Sequence, residues 1–133
     1  MLVTNADIFN TKESMQKLLR VKMPVKVSLE LVKMTRILSV LHADIDQVRD
    51  GLIQHYGEQD EKRPGGAKIT PDMAGFSGFA EEFGQLMEKE VEVDINVVKI
   101  PSTIEIEPYV LIALEKFVEI DDGMVEVVEA KTK

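Results

Sequence analysis

Cysteine is absent from this 133-residue chain, which excludes a disulfide framework, thiolate catalysis and any zinc site built on cysteine. Aromatic residues make up only 5%, and the phenylalanines stand at helical spacing, the signature of packing rather than of a base-stacking platform. No apolar run approaches the ~20 residues that cross a bilayer. The opening "MLVTNADIF" has no basic region leading into an apolar one, so no secretory signal is expected. Basic residues are outnumbered, 16 against 24 acidic, for a net charge of -8. The imbalance sits in one half. Residues 1–56 carry 8 Lys and Arg against 6 Asp and Glu, and residues 57–133 carry 8 against 18, balances of +2 and -10. An acidic half repels phosphate, so direct nucleic-acid binding is not expected. That surface either serves solubility or docks onto a basic partner.

What remains is a globular composition, 44% apolar and 30% charged, in a chain long enough for one domain with its own core. The expected fold class is α+β and predominantly helical, a single domain over residues 1–133. Met1 to Val3 reads as a short strand or a frayed end. Thr11 reads as the N-cap of a short helix carrying Met15, Leu18 and Leu19 on one face. That N-terminal segment, residues 1–23, ends before Pro24, which suits the first turn of the next helix.

From there Leu31, Met34, Leu38, Leu41, Ile45, Val48 and Leu52 recur in steps of 3, 4, 3, 4, 3 and 4, a heptad seam of coiled-coil type. The long helix is expected over residues 24–56, closed by Gly57. At ~1.5 Å per residue it spans about 50 Å. A compact chain of this length is only about 36 Å across. The helix outruns a compact globule, so either the protein is elongated or another chain covers part of the helix. In its first half Leu29, Val32, Ile37 and Val40 add apolar surface outside the seam, which predicts burial on more than one side. In its second half the stripe narrows to Ile45, Val48, Leu52 and Ile53, which predicts that His42 to Tyr56 projects to meet another chain. The seam residues are therefore the expected protein-contact site, shared with the chain's own core in proportions that the sequence does not fix.

"GEQDEKRPGGAKITP" (residues 57–71) reads as an exposed, flexible loop. Thr70-Pro71-Asp72 reads as a helix start, with Phe76, Phe79, Phe83 and Leu86 as the buried face. Gly75, Gly78 and Gly84 each weaken that helix by about 1 kcal/mol, so it is expected to fold back on the long helix as an antiparallel hairpin. Val91, Val93, Ile95 and Val97 alternate as a strand, and Ile104 and Ile106 resume the alternation after Pro101-Ser102, which predicts a small β-hairpin. Pro108 opens a C-terminal helix with Leu111, Leu114, Phe117 and Val118 on its face, so that residues 72–120 read as helix, β-hairpin, helix. Asp121-Asp122-Gly123 ends it, and the acidic tail, residues 121–133, reads as a last strand or a loose end.

Catalytic chemistry is sparse. "RPGGAK" lacks the spacing of a phosphate-binding loop. His42 and Asp46 stand one turn apart, as a metal-holding pair would, but two ligands do not make a site. His55 suits the negative end of the long helix. Glu81-Glu82 and Asp121-Asp122 are neighbours on a surface rather than carboxylates facing across a cleft. Met34, one of seven methionines, belongs to the seam. No catalytic, cofactor-binding or metal residues are assigned, and no cofactor is expected.

The stretch "LLRVKMPVKVSLELVKMTRIL", continued by "VRDGLIQHYGEQDE" and "FAEEFGQLMEKEVEVDI", resembles small, largely uncharacterised proteins of tailed bacteriophages. The features that carry it are Leu18-Leu19, Pro24 to Lys26, Tyr56 to Glu58, Asp60-Glu61 and Val91 to Val93. The likeness covers the chain from about Leu18 to Ile120, and the glycine-rich segment from Gly65 to Gly84 departs from it. Genes for such proteins are often found among those for the virion or its assembly. The resemblance implies a non-enzymatic virion or assembly protein, located in the virion or the cytoplasm of an infected bacterium. Its expected partners are itself or other phage structural proteins, with no membrane. The rival expectation is an acidic phage effector that binds a basic host protein or mimics nucleic-acid charge.

Overall fold

A computed structural model describes residues 1–121 of the chain. It is an α+β structure dominated by one long helix. Strand β1 (Leu2–Thr4) runs into helix α1 (Asn5–Phe9) and α2 (Thr11–Leu19), followed by α3 (Val25–Tyr56). Strands β2 (Glu58–Gln59) and β3 (Ala67–Lys68) precede α4 (Phe76–Glu88). The remainder is β4 (Glu90–Glu92), β5 (Val98–Pro101), α5 (Pro108–Ala113) and β6 (Val118–Asp121).

Thr4, not Thr11, is the residue that caps a helix. Its hydroxyl accepts from the Asp7 amide at 3.1 Å while the Asp7 carboxylate accepts from the Thr4 amide at 2.9 Å, a reciprocal capping box that starts α1. Thr11 lies inside α2 and donates its hydroxyl to the Ile8 carbonyl at 2.6 Å, which ties the two short helices together. Pro24 precedes α3 in an extended conformation, as a residue without an amide proton suits. At the other end Gly57 is also extended, with φ -86° and ψ -172°, so it is not a left-handed cap. A side chain there would collide with the carbonyls of Ile53 and Lys68.

The strand partners differ from the sequence expectation. No hairpin forms between residues 91–97 and 104–106. Instead β4 pairs antiparallel with β1, Val91 opposite Val3, and β5 pairs parallel with β6, Val98 opposite Val118 and Ile100 opposite Ile120. Alternation marks a strand without naming its partner, and here both partners are distant in sequence. The expected C-terminal helix shrinks to α5, because Val118 onward is strand. The parallel pairing demands a crossover, and α5 is that crossover. In the loop over residues 57–71, β2 and β3 form a minimal antiparallel pair, Glu58 opposite Lys68. The Asp60 carboxylate holds its turn, accepting from the Lys62 amide at 3.0 Å and from Arg63 Nε at 3.1 Å. Those bonds, the Lys62 amide first, keep Asp60 below the usual carboxylate range. Thr70 opens only a turn, with its carbonyl accepting from the Met73 amide at 3.0 Å, and α4 begins later, at Phe76. The ending at Asp122-Gly123 and the tail beyond lie outside the described residues.

One core joins these elements. Ile8, Leu18, Leu31, Ile100, Val110, Leu114 and Phe117 are its fully buried side chains, each contributing about 1.5–3 kcal/mol by leaving water. α2, α1, α4 and β5 all pack against α3, and α5 packs against α2. α4 buries no residue fully. Its phenylalanines are half-buried, with the Phe79 and Phe83 rings stacked 5.5 Å apart and Phe83 edge-on to Phe9 at 5.9 Å. Among the described residues no helix is long and apolar enough to cross a membrane.

Candidate functional site

The structure apportions the heptad seam. Leu31, Met34, Leu38 and Ile45 are buried in the chain's own core, and Leu41 packs partly buried against it. Leu52 is half-buried, while Val48 is 48% exposed. Helix α3 therefore spends most of its seam at home. The division between its halves is the reverse of the sequence expectation. The second half does not project bare. Ile45 is only 4% exposed, and Tyr56 is met by Gly75 and Gly78 of the α4 region. The first half is the uncovered one.

Val25, Leu29, Val32 and Val40 share the side of α3 turned away from the core, at 84%, 52%, 36% and 64% exposure. Arg36 completes their row, whose steps are 4, 3, 4 and 4 residues, the period of a single helix face. Ile37, 39% exposed, borders the row. Its flank is basic. Between Val25 and Ala43 the charged residues are Lys26, Lys33 and Arg36 against Glu30, and all four are exposed. A helix apolar on both sides is normally buried all round, and that rule produced the expectation of burial for Leu29, Val32, Ile37 and Val40. The missed signal is Arg36 in the middle of the row, a residue that a dry face would not hold without a partner.

A second cluster surrounds His42. It stacks on Phe9, ring centroids 5.2 Å apart and planes 8° from parallel, and the Arg49 guanidinium carbon lies 5.6 Å from the centroid of the same Phe9 ring. His42 Nδ1 is 3.0 Å from the Asp46 carboxylate and Nε2 is 3.1 Å from the Phe9 carbonyl oxygen. Arg49 pairs with the same Asp46 at 3.3 Å. Each ring nitrogen thus lies within hydrogen-bond distance of an oxygen of the chain itself. Beside them runs a groove of about 190 Å³ between α2 and α3, lined by Met15, Leu38, Ser39 and His42 among others. That is below the ~300 Å³ at which small-molecule sites begin. His42 and Asp46 come together as the sequence suggests, but as a latch between α1 and α3. Among the described residues no group of three or more His, Cys, Asp or Glu is placed to hold a metal ion. His55, on the last turn of α3, sits edge-on to Tyr56 at 4.6 Å.

No family model matches the chain, and neither does any curated protein or solved structure.

Proposed function

We propose that this is a non-enzymatic protein of a bacteriophage virion or of its assembly, acting through protein–protein contact, with α3 as its recognition element. The observation that carries the reading is the exposed row Val25, Leu29, Val32 and Val40 on a helix whose opposite side is already spent in the core. An apolar row beside cations is a costly surface to leave in water, and such patches mark interaction sites. The likeness to tailed-phage proteins over Leu18 to Ile120 supports the setting, and His42, with each ring nitrogen beside an oxygen of the chain itself, suits a structural latch better than a general base.

Incorporating a photo-crosslinking residue at Leu29 in the phage that encodes the chain tests this directly. The expected product is a covalent adduct with a particle or assembly protein, this chain included, identified by mass spectrometry. Absence of the chain from particles and assembly intermediates alike would remove the virion reading.

A further inference from the structure

The exposed row on α3 has a chemical counterpart on the same molecule. α5 buries Val110 and the turn after it buries Leu114, while Tyr109 and Ile112 face outward, at 43% and 68% exposure. Glu107 precedes the first turn of α5 and Glu115 follows its last, and both are exposed, so acidic residues flank this small apolar face at both ends of the helix. Lys17 lies 4.4 Å above the Tyr109 ring and fixes it in place. From Glu105 to Asp121 there are five acidic residues and one lysine, Lys116, and that lysine is paired with Asp7 at 2.7 Å. Lys17 brings one positive charge to the α5 face, and Asp94 brings one negative charge to the groove beside Glu30 and Lys33, but carboxylates still outnumber cations around the first face and cations outnumber carboxylates around the α3 row.

A single copy does not bring them together. Each element is anchored to the common core by its buried side, Leu31 and Leu38 for α3 and Val110 for α5, and α5 packs on α2. The outward sides point away from the core they share. We infer that the basic-flanked row of α3 on one copy of this chain receives the acidic-flanked α5 face of a second copy, in a head-to-tail contact. This rests on the contact reading above and names its partner. Pairing α3 with α3 would instead set Lys33 and Arg36 against their own kind, a like-charge arrangement that costs energy. A head-to-tail contact repeats, closing into a ring or continuing as a filament. The apolar residues along α3 offer roughly half of the ~800 Å² per side that a stable complex buries. Association is accordingly weak in dilute solution and steered by charge, so it is sensitive to salt.

Sedimentation of the full chain and of two charge-reversed variants tests the inference. The first variant carries Lys33→Glu and Arg36→Glu, the second Glu107→Lys and Glu115→Lys. All four positions are exposed, and circular dichroism checks that each variant keeps its fold. Wild type at ~0.1 mM and low salt is expected to grow past a dimer with concentration, and to lose about tenfold in association when salt is raised. Each variant alone is expected to stay monomeric, because its two faces now repel. Mixed together, the variants are complementary again at both contacts and are expected to associate as wild type does. A monomeric wild type, or a mixture that stays monomeric, would overturn the inference. So would association of the second variant alone, since that is the mark of a symmetric α3–α3 contact. Wild type that stays monomeric yet is found in particles removes this contact and leaves the virion reading standing. Head-to-tail assembly of a chain absent from particles does the reverse.

Discussion

Gly75 is pressed against the main-chain carbonyl of Tyr56, so closely that a Cβ at this position has no room. One turn later Gly78 lies beneath the Tyr56 ring, where an added Cβ would come within 2.5 Å of Cε1. The end of α3 and the start of α4 meet through two residues that have no side chain. The cost of glycine to the helix is offset by the approach it permits.

Gly51 and Gly84 lie in helices with nothing within 4 Å of an added Cβ. Gly51→Ala and Gly84→Ala are expected to stabilise the fold, each by about 0.5–1 kcal/mol. Gly75→Ala is expected to destabilise it by more than about 1 kcal/mol, because main chain must move. Urea denaturation of the three variants decides the matter. Equal effects at Gly75 and Gly84 would mean that α4 does not sit on Tyr56.

That contrast shows what the sequence could and could not convey. The period of α3 was legible because 3.6-residue repetition is a local property, and its limits came out within a residue of Val25–Tyr56. The strand at Val91 was legible, although it stops at Glu92; β5 over Val98–Pro101 was not, since it lies where the alternation breaks, and Ile104 and Ile106 belong to no strand. The partners of β4 and β5 were not legible either, since β1 and β6 lie at the far ends of the described chain, and pairing over such distances leaves no local trace. The glycines of α4 read as weakness because their use depends on Tyr56, distant in sequence. The same limit applies to the contact surface. Periodicity located every apolar position on α3, but which ones the core would take depended on where α2, α4 and β5 came to rest.

His42 joins α1 to α3 through its contacts with Asp46 and the Phe9 carbonyl. His42→Leu keeps the volume but removes the ring nitrogens beside one Asp46 oxygen and the Phe9 carbonyl, while Arg49 still pairs with Asp46, at an expected cost of about 1–3 kcal/mol. Combining it with Asp46→Ala is expected to cost less than the two single changes together, by at least about 0.5 kcal/mol. Strict additivity in thermal or urea unfolding would show that the pair is not coupled.

Asp7 and Lys116 tie α1 to the segment before β6 at 2.7 Å. Burial pushes the Asp7 carboxyl up, but hydrogen bonds from Lys116 and Thr4 outweigh it and hold the group below its ordinary value of 3.8. A carboxyl lower in the folded than in the unfolded chain stabilises the fold above the unfolded value. That contribution fades as pH falls through the folded one. Lys116 is raised above 10.5, chiefly by its bond to Asp7, so its share is complete below that pH and fades as pH climbs through the raised value. Wild type is therefore expected to exceed Asp7→Asn in stability at pH 7, with the gap closing below about pH 3.8. A gap that persists unchanged to pH 2 would show that the charge of Asp7 is not what matters.

Lys62 lies exposed in the turn between β2 and β3, and the bond after Arg63 precedes Pro64 and resists trypsin. Limited trypsin is expected to cut first after Lys62 or Lys68, the latter more slowly because Lys68 is paired with Glu58 in β3. First cleavage inside α3, at Lys33 or Arg36, would mean that the long helix opens before the turn does.

The two sides of α3 are separable by one substitution each. Ile45, 4% exposed, lies in the seam as part of the buried core, and Ile45→Asp both removes its burial and places a charge in the core. The expected cost is several kcal/mol, a large part of the 5–15 kcal/mol that holds a domain of this kind together. Helical circular dichroism and the melting temperature are expected to fall together. Leu29 is 52% exposed on the side of α3 turned away from the core, so Leu29→Asp is expected to shift stability by no more than about 0.5 kcal/mol. The two variants carry the same change in chemistry, apolar to carboxylate, on the same helix, and differ only in the side it faces. If Leu29→Asp unfolds the isolated chain as readily as Ile45→Asp does, the outer row of α3 is part of the monomer's own core. The surface on which the contact reading depends would then not exist.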